Sequence, residues 1–440
     1  MCGPTIGATS QLTQVRDMKT FVSAAQLIDG TGAAPVRNPL LEIENGRIVK
    51  THAEGAGRPA PSEGRILDYP GATILPGLID THVHLNLPGT GPTLEEAMRE
   101  GHEVMTATSM GSAAQALGAG ITTVRDLGAF GTTSFAARRA LQLGYGKGAK
   151  VIACGQPITI TGGHCWQMGG EADGVENLRR KVRELCRDTA DFIKVMGSGG
   201  GTIGTKSWLP SFTLEEMRAI VDEAHRNGRR VTVHCLCAQS ITIAIEAGAD
   251  QIEHANFLVD AAGRQEYEPK IVDRLAEAGI PVTTTLVVYV ASVFHYRSLQ
   301  RDLTPSEQAA IDRWTIRADE TVDYLERMTR AGVRFVAGTD AGWRFTPFDT
   351  LILELEIMAK GGHSGLAAIA AATGVAAEVI GADDIGTLAP GRAADVLVVK
   401  GDPLTDLDAL RDPLLILQDG RPQHITGREN LSPTARAKPL

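Results

Sequence analysis

Apolar positions along this chain recur in a repeating unit: an amphipathic stretch, a glycine, then a short apolar run. The runs are "LIDTHVHL" (78–85), "ITTVRDLG" (121–128), "KVIACG" (150–155), "DFIKVMG" (191–197), "RVTVHC" (230–235), "DQIEHA" (250–255), "PVTTTL" (281–286) and "RFVAGTD" (334–340). Each reads as a strand, and the segments between them read as helices. Two such segments open with Thr93 and Glu96, and with Thr213 and Glu216, in the spacing of a capping box. Gly120, Gly148, Gly228, Gly248, Gly279 and Gly332 stand just before the runs, where a left-handed residue ends a helix.

Eight strands alternating with helices predict an α/β fold with a parallel sheet, and eight is the number that closes a (β/α)8 TIM barrel. The stretch from His82 to Asp340 matches the roughly 250 residues that such a barrel takes. An open doubly wound sheet is the alternative. Both flanks look different, with short β-like runs broken by Gly, Pro and Asn: "TFVSAAQLIDGTGAAPVRNPLLEIENGRIVKTHAEG" before, "IGTLAPGRAADVLVVKGDP" and "LLILQDGRPQHITG" after. Neither flank has enough strands to bury a core alone, so a small β-sandwich built from both termini is expected. The expected division is a flexible arm at 1–18, sandwich strands at 19–75, the barrel at 76–386, the rest of the sandwich at 387–430, and a tail at 431–440.

Composition narrows the function. At 440 residues, 43% hydrophobic and 22% charged, the chain reads as an ordinary soluble globular protein. A net charge of −9 argues against nucleic acid or an anionic membrane as a main partner. No apolar run approaches the roughly 18 residues of a membrane span, and residues 1–18 lack the apolar core of a signal peptide. Six cysteines with no Cys-x-x-Cys pair suggest a reduced, cytoplasmic setting.

The candidate chemistry lies at the ends of the runs. His82 and His84 are one residue apart, so a strand aims both at one face. Lys194, His234, His254 and Asp340 end other runs, and the C-terminal rim of an α/β barrel is where catalytic groups gather. Singly, each has an ordinary reading: His254 as a satisfied core histidine, Asp340 as a helix cap. Lys194 does not, because an unpaired ammonium in an apolar run is costly. Four imidazoles and a carboxylate suit zinc or a similar first-row ion, and are too nitrogen-rich for calcium or magnesium. A lysine joins such a set only without its charge. Reaction of the neutral amine with carbon dioxide would make it a carbamate, a carboxylate-like bridge between two ions.

"GLIDTHVHL", "ITTVRDLG", "DFIKV", "VTVH", "IEHA" and "GTDAG", with "GTLAPGRAADVLVV", resemble the amidohydrolase superfamily from about residue 20 to 425. The resemblance implies that His82, His84 and Asp340 hold one metal ion, His234 and His254 the other, and a carboxylated Lys194 bridges them. It implies attack by a metal-bridging hydroxide, with Asp340 moving the proton to the leaving nitrogen. "TGGHCWQMGG" resembles the branch of metal-dependent prolidases and ochratoxin-degrading amidohydrolases, where a histidine like His164 hydrogen-bonds the scissile carbonyl.

One position departs from that branch. Leu236 stands where many of its dipeptidases have a Tyr or His that helps hold the substrate carboxylate. Tyr289 and Trp343, with Leu236 and His164, are expected to contact substrate, and Trp166 and Phe345 are further pocket candidates. Cys235 and Cys237 read as small core residues. Gly199–Gly204 fits G-x-G-x-x-G but reads as a mobile loop over the rim, since no helix opens on it.

The expected function is a two-metal hydrolase of an N-acyl amino acid or peptide-like amide, with a small-molecule substrate, a zinc pair and a homo-oligomeric assembly. A urea or carbamate hydrolase is the alternative. A mononuclear deaminase is disfavoured by Cys237 and Lys194, which stand where those enzymes have Glu and no lysine. A non-catalytic scaffold is disfavoured by the complete ligand set.

Overall fold

The computed structural model describes residues 19–52, 60, 62–91 and 94–439. The expected arm at 1–18 and Thr93 of the first capping box lie outside the described residues.

The eight apolar runs all form parallel strands, in chain order. Leu78–Val83, Ile121–Asp126 and Lys150–Ala153 make one three-stranded sheet. Ile193–Val195, Val231–His234, Gln251–Glu253, Val282–Thr283 and Phe335–Val336 make a five-stranded one. Parallel bridges join the two at both seams, Ile158 to Val195 and Val83 to Ala341. At one seam Ile158 N–H donates to the Lys194 carbonyl (2.8 Å), and at the other Asp340 N–H donates to the His82 carbonyl (2.8 Å). The backbone pairing that joins the sheets therefore holds three of the candidate site residues in register.

Local chemistry marks several of the helix ends. Leu214–Arg226 starts with the expected capping box: Thr213 accepts from the Glu216 N–H, and Glu216 accepts from the Thr213 N–H. The first amphipathic segment is two helices, Leu94–Ala97 and His102–Gly118, because the extended Gly101 breaks it. Five of the six glycines before strands have the left-handed φ expected of them. Gly148 does not. A Cβ there would lie 2.9 Å from that of Ala113, so close packing against the helix His102–Gly118 explains it.

Both flanks contribute to one eight-stranded sheet. Its order is Arg421–Pro422, Pro413–Gln418, Val396–Lys400, Gly64–Pro76, Lys19–Leu27, Leu40–Glu44 and Arg47–His52, with Val36–Arg37 beside Lys19–Leu27. Gly64–Pro76 pairs with a strand from each flank, parallel to Lys19–Leu27 and antiparallel to Val396–Lys400. This sheet packs its own apolar cluster, including Val22, Leu41, Ile74, Val396 and Leu417. Lys150 ties it to the parallel strands through Asp395 (2.9 Å) and Asp419 (2.7 Å). Residues after Leu431 are docked rather than trailing: Ser432 bonds Asp349, and Ala435 is buried against Ala119. Among the described residues no helix is long and apolar enough to cross a membrane.

Candidate active site

His82 is the penultimate residue of the strand Leu78–Val83 and His84 follows the strand, so the two imidazoles share one side as period-two geometry requires. Asp340 Oδ1 lies 3.4 Å from His82 Nε2 and 3.1 Å from His84 Nε2. Donor atoms of these three residues all lie within 4.8 Å of one another. That is a donor set a transition-metal ion can use. His254 packs on His82 and His234 with ring centroids 5.0 and 4.7 Å apart, and His164 packs on His234 at 4.8 Å. Asp340 has the left-handed φ of a tight turn (58°) and its carboxylate faces the histidines, so the helix-cap reading fails.

Lys194 sits among them. It is 1% exposed, and its side-chain nitrogen has no hydrogen-bond partner among the described residues. Burial, opposed by Glu253 and Asp340, holds its pKa below the ordinary lysine value. Desolvation also lowers His82, His234 and His254. For His84 burial acts downward too, but the Asp340 carboxylate outweighs it and the net shift is upward. Asp340 itself is resisted by burial yet held well below the carboxylate range by His82 and His84.

One pocket is lined by His82, His84, His164, Lys194, His234, Leu236, His254, Tyr289, Asp340 and Trp343, which includes every expected metal ligand, His164 and the three expected substrate contacts. Trp166 and Phe345 are elsewhere: Trp166 is 39% exposed, and Phe345 stacks on His295 at 3.7 Å. Cys235 and Cys237 are buried core residues, as expected. His164 is set by its loop neighbour, with Nδ1 2.9 Å from Thr202 Oγ1. Burial, reinforced by Lys194, pushes it down to about 3. The glycine loop closes directly on this ring. A Cβ on Gly200 would meet the His164 imidazole at 2.5 Å, and one on Gly201 would meet Trp343 at 2.9 Å. Glycines here allow close approach of the backbone to the site.

Sequence reasoning missed the groups that hold the ligands. Glu253 accepts from His82 Nδ1 (2.8 Å) and from Arg125 Nη2 (2.7 Å), beneath the histidines. Burial opposes its charge, but His82 and Arg125 outweigh it and keep it ionised. A carboxylate on the far nitrogen of a metal-competent histidine orients the ring and raises its basicity. His254 Nδ1 is held by Thr285 (2.7 Å), and Tyr289 Oη by Asn256 Nδ2. The available signal was charged residues inside apolar runs: Arg125 in "ITTVRDLG" and Glu253 in "IEHA".

The amidohydrolase family description matches residues 73–421, most of the chain. The chain belongs to the amidohydrolase family. It is similar to an ochratoxinase of Aspergillus niger, 28% identical over 435 residues, covering 90% of this chain and 84% of that one. It also resembles a Xaa-Pro dipeptidase crystallised with methionine in its active site, with a TM-score of 0.80 and 26% identity. That match covers 92% of this chain and 99% of the dipeptidase. The crystal structure of the A. niger ochratoxinase superposes with a TM-score of 0.77 and 25% identity, over 95% of this chain and 97% of that one. The fold is therefore TIM-barrel-like α/β, and the chain is a hydrolase acting on carbon–nitrogen bonds of the amide type.

Proposed function

We propose that this chain is a two-metal amidohydrolase that cuts the amide bond of an N-acyl amino acid or peptide-like small molecule. The observation that carries the reading is Lys194: a buried amine without a hydrogen-bond partner among the described residues, sharing one pocket with five histidines and Asp340. In this reading His82, His84 and Asp340 would hold one ion, His234 and His254 the other, and Lys194 would join both as its carbamate. The lowered Lys194 pKa supports carbamate formation, because only the neutral amine reacts with carbon dioxide. The nitrogen-rich donor set favours zinc. Such ions, when bound, would polarise the scissile carbonyl and lower the pKa of the attacking water.

The remaining work falls to the chain's own side chains. Asp340 Oδ1 faces both histidines, which leaves Oδ2 to take the proton from the attacking water and pass it to the leaving nitrogen. Thr202 Oγ1 accepts the Cys165 N–H (3.0 Å), so its own hydrogen is available to His164 Nδ1. With Thr202 donating to Nδ1 in this reading, the ring proton would sit on Nε2, a donor for the developing oxyanion. Trp343, Tyr289 and Leu236 would contact the substrate.

A second reading, hydrolysis of a urea or carbamate by the same residues, is favoured by Leu236, an apolar wall with no bond to offer a peptide carboxylate. The wider reading includes a closed eight-stranded barrel over 76–386 and a two-layered terminal unit from 19–75 and 387–430. Cys154, Cys186, Cys235 and Cys237, which form no disulfide among the described residues, support a reduced, cytoplasmic setting. A homo-oligomer and a small-molecule partner, with no nucleic acid or membrane, complete the proposal. The test is metal analysis of the purified protein alongside turnover of amides, dipeptides, ureas and carbamates. About two first-row ions per chain with amide turnover are expected. One ion with deamination, or no bound ion and no turnover, would overturn the reading.

A further inference from the structure

Besides Lys194, the pocket has one apolar wall and one exposed cation with no carboxylate partner among the described residues. Leu236, Val288, Tyr289 and Trp314 line it, and Tyr289 stacks on Trp314 with centroids 6.0 Å apart. Arg344 lines the same pocket and is exposed. Among the described residues no carboxylate pairs with it, whereas the surface arginines Arg264, Arg301 and Arg334 each hold a Glu. Its position is not left to chance. Gly91 N–H donates to the Arg344 carbonyl (2.9 Å), Gly342 N–H to the Thr346 carbonyl (2.8 Å), and Trp343 N–H to the Asp340 carbonyl (3.2 Å). Arg344 itself takes a left-handed φ of 46°, unusual for a residue with a side chain. The turn that presents Asp340 to the histidines thus also presents a guanidinium at the mouth of the pocket.

A planar guanidinium with free N–H groups matches a carboxylate in a two-pronged hydrogen bond. Leu236 offers the substrate no such bond. Resting on the hydrolase reading above, we propose that Arg344 is the specificity-determining residue of this site: it anchors the carboxylate of an N-acyl amino acid whose apolar group lies against Leu236, Val288, Tyr289 and Trp314. The carboxylate that a Tyr or His would have held beside the fifth strand is met instead from the loop after the eighth. Neutral ureas and carbamates lack the group that Arg344 selects.

The experiment compares N-benzoyl-L-phenylalanine with its C-terminal carboxamide on the zinc-loaded protein. The acid should be preferred by about 10- to 100-fold in kcat/KM, the scale of one charge-assisted hydrogen-bonded pair. Most of that preference should lie in KM, because Arg344 binds without touching the scissile bond. Arg344→Gln should erase the preference with kcat retained, and Arg344→Lys should keep part of it. A wild-type protein without the preference, or an Arg344→Gln variant that keeps it, overturns the assignment. If neither compound is hydrolysed, the hydrolase reading fails for this substrate class, and calorimetric titration of both compounds onto wild type and Arg344→Gln decides Arg344 separately. Loss of acid binding in the variant upholds the anchor. Equal binding of acid by both proteins removes it.

Discussion

Arg411 and Lys194 are both cut off from solvent, at 2% and 1% exposure, but their surroundings differ in kind. Arg411 bonds both oxygens of Glu356 (2.6 and 2.9 Å), the Asp408 carboxylate (3.0 Å) and the Ala435 carbonyl (2.6 Å). That set clamps the C-terminal residues to the helix Leu351–Lys360. The Lys194 amine has no hydrogen bond among the described residues, though Glu253 and Asp340 are near enough to act on it electrostatically. A buried charge kept for structure is saturated with partners, because an unpaired one costs several kcal/mol. On the function proposed above, a buried amine left without hydrogen-bond partners at a rim of histidines is stability given up to chemistry.

The largest effect should come from Lys194. Lys194→Ala is expected to lower kcat/KM by at least about 1,000-fold, the scale of losing one preorganised charge-stabilising group. A small added carboxylate should restore part of the activity. Lys194→Met, which fills the same space without charge, should unfold at or above the wild-type midpoint. Wild-type-like turnover in unrescued Lys194→Ala, or strong destabilisation of Lys194→Met, would break the contrast.

Arg411→Met should behave oppositely. It leaves Glu356 buried without its main partner and should cost about 3–5 kcal/mol in denaturant unfolding. Its kcat/KM, measured well below the unfolding midpoint, should stay at the wild-type value. An equal loss of activity would mean that the clamp also shapes the site.

The imidazoles beside Lys194 sharpen the comparison through pH. His164 is pushed down to about 3, so between that value and about 6.5, where a free imidazole titrates, the unfolded chain binds a proton that the folded ring does not. Stability therefore falls as pH drops through this window. Wild type should lose on the order of 3 kcal/mol more than His164→Gln between pH 7 and 4. Parallel losses in the two proteins would show that the folded ring is protonated normally.

The smallest effect is expected at the outer edge of the clamp. Lys438 reaches Glu356 (3.2 Å) and Asp408 (2.7 Å) but its side chain is 58% exposed. Lys438→Ala should change stability by no more than about 1 kcal/mol, because solvent screens the pair. A loss as large as that of Arg411→Met would mean that burial is not what separates strong from weak cations here.

The two halves of this contrast were not equally legible. Lys194 stood out because an amine in "DFIKVM" violates the apolar pattern around it, and His82 and His84 because period two aims them together. Arg411 did not: "DALRDPL" is an ordinary polar stretch, and only docking of the last residues buries it. Arg125 and Glu253 broke their runs as plainly as Lys194, yet Glu253 meets Arg125 across 128 positions and His82 across 171, pairings with no local trace. Arg344 looked like any surface arginine until the loop placed it in the pocket.

By itself the sequence determined the alternation of strand and helix and which polar residues end the strand runs. These follow from short-range rules: two residues per strand repeat, caps at helix ends, and the penalty for charge among apolar neighbours. Tertiary structure alone decided what surrounds those side chains. Whether a buried cation is paired, which carboxylate sits behind a histidine, and which glycine is needed for contact rather than for its φ depend on residues far apart in the chain. Such contacts act over a few ångströms, and only the folded chain brings those residues that close.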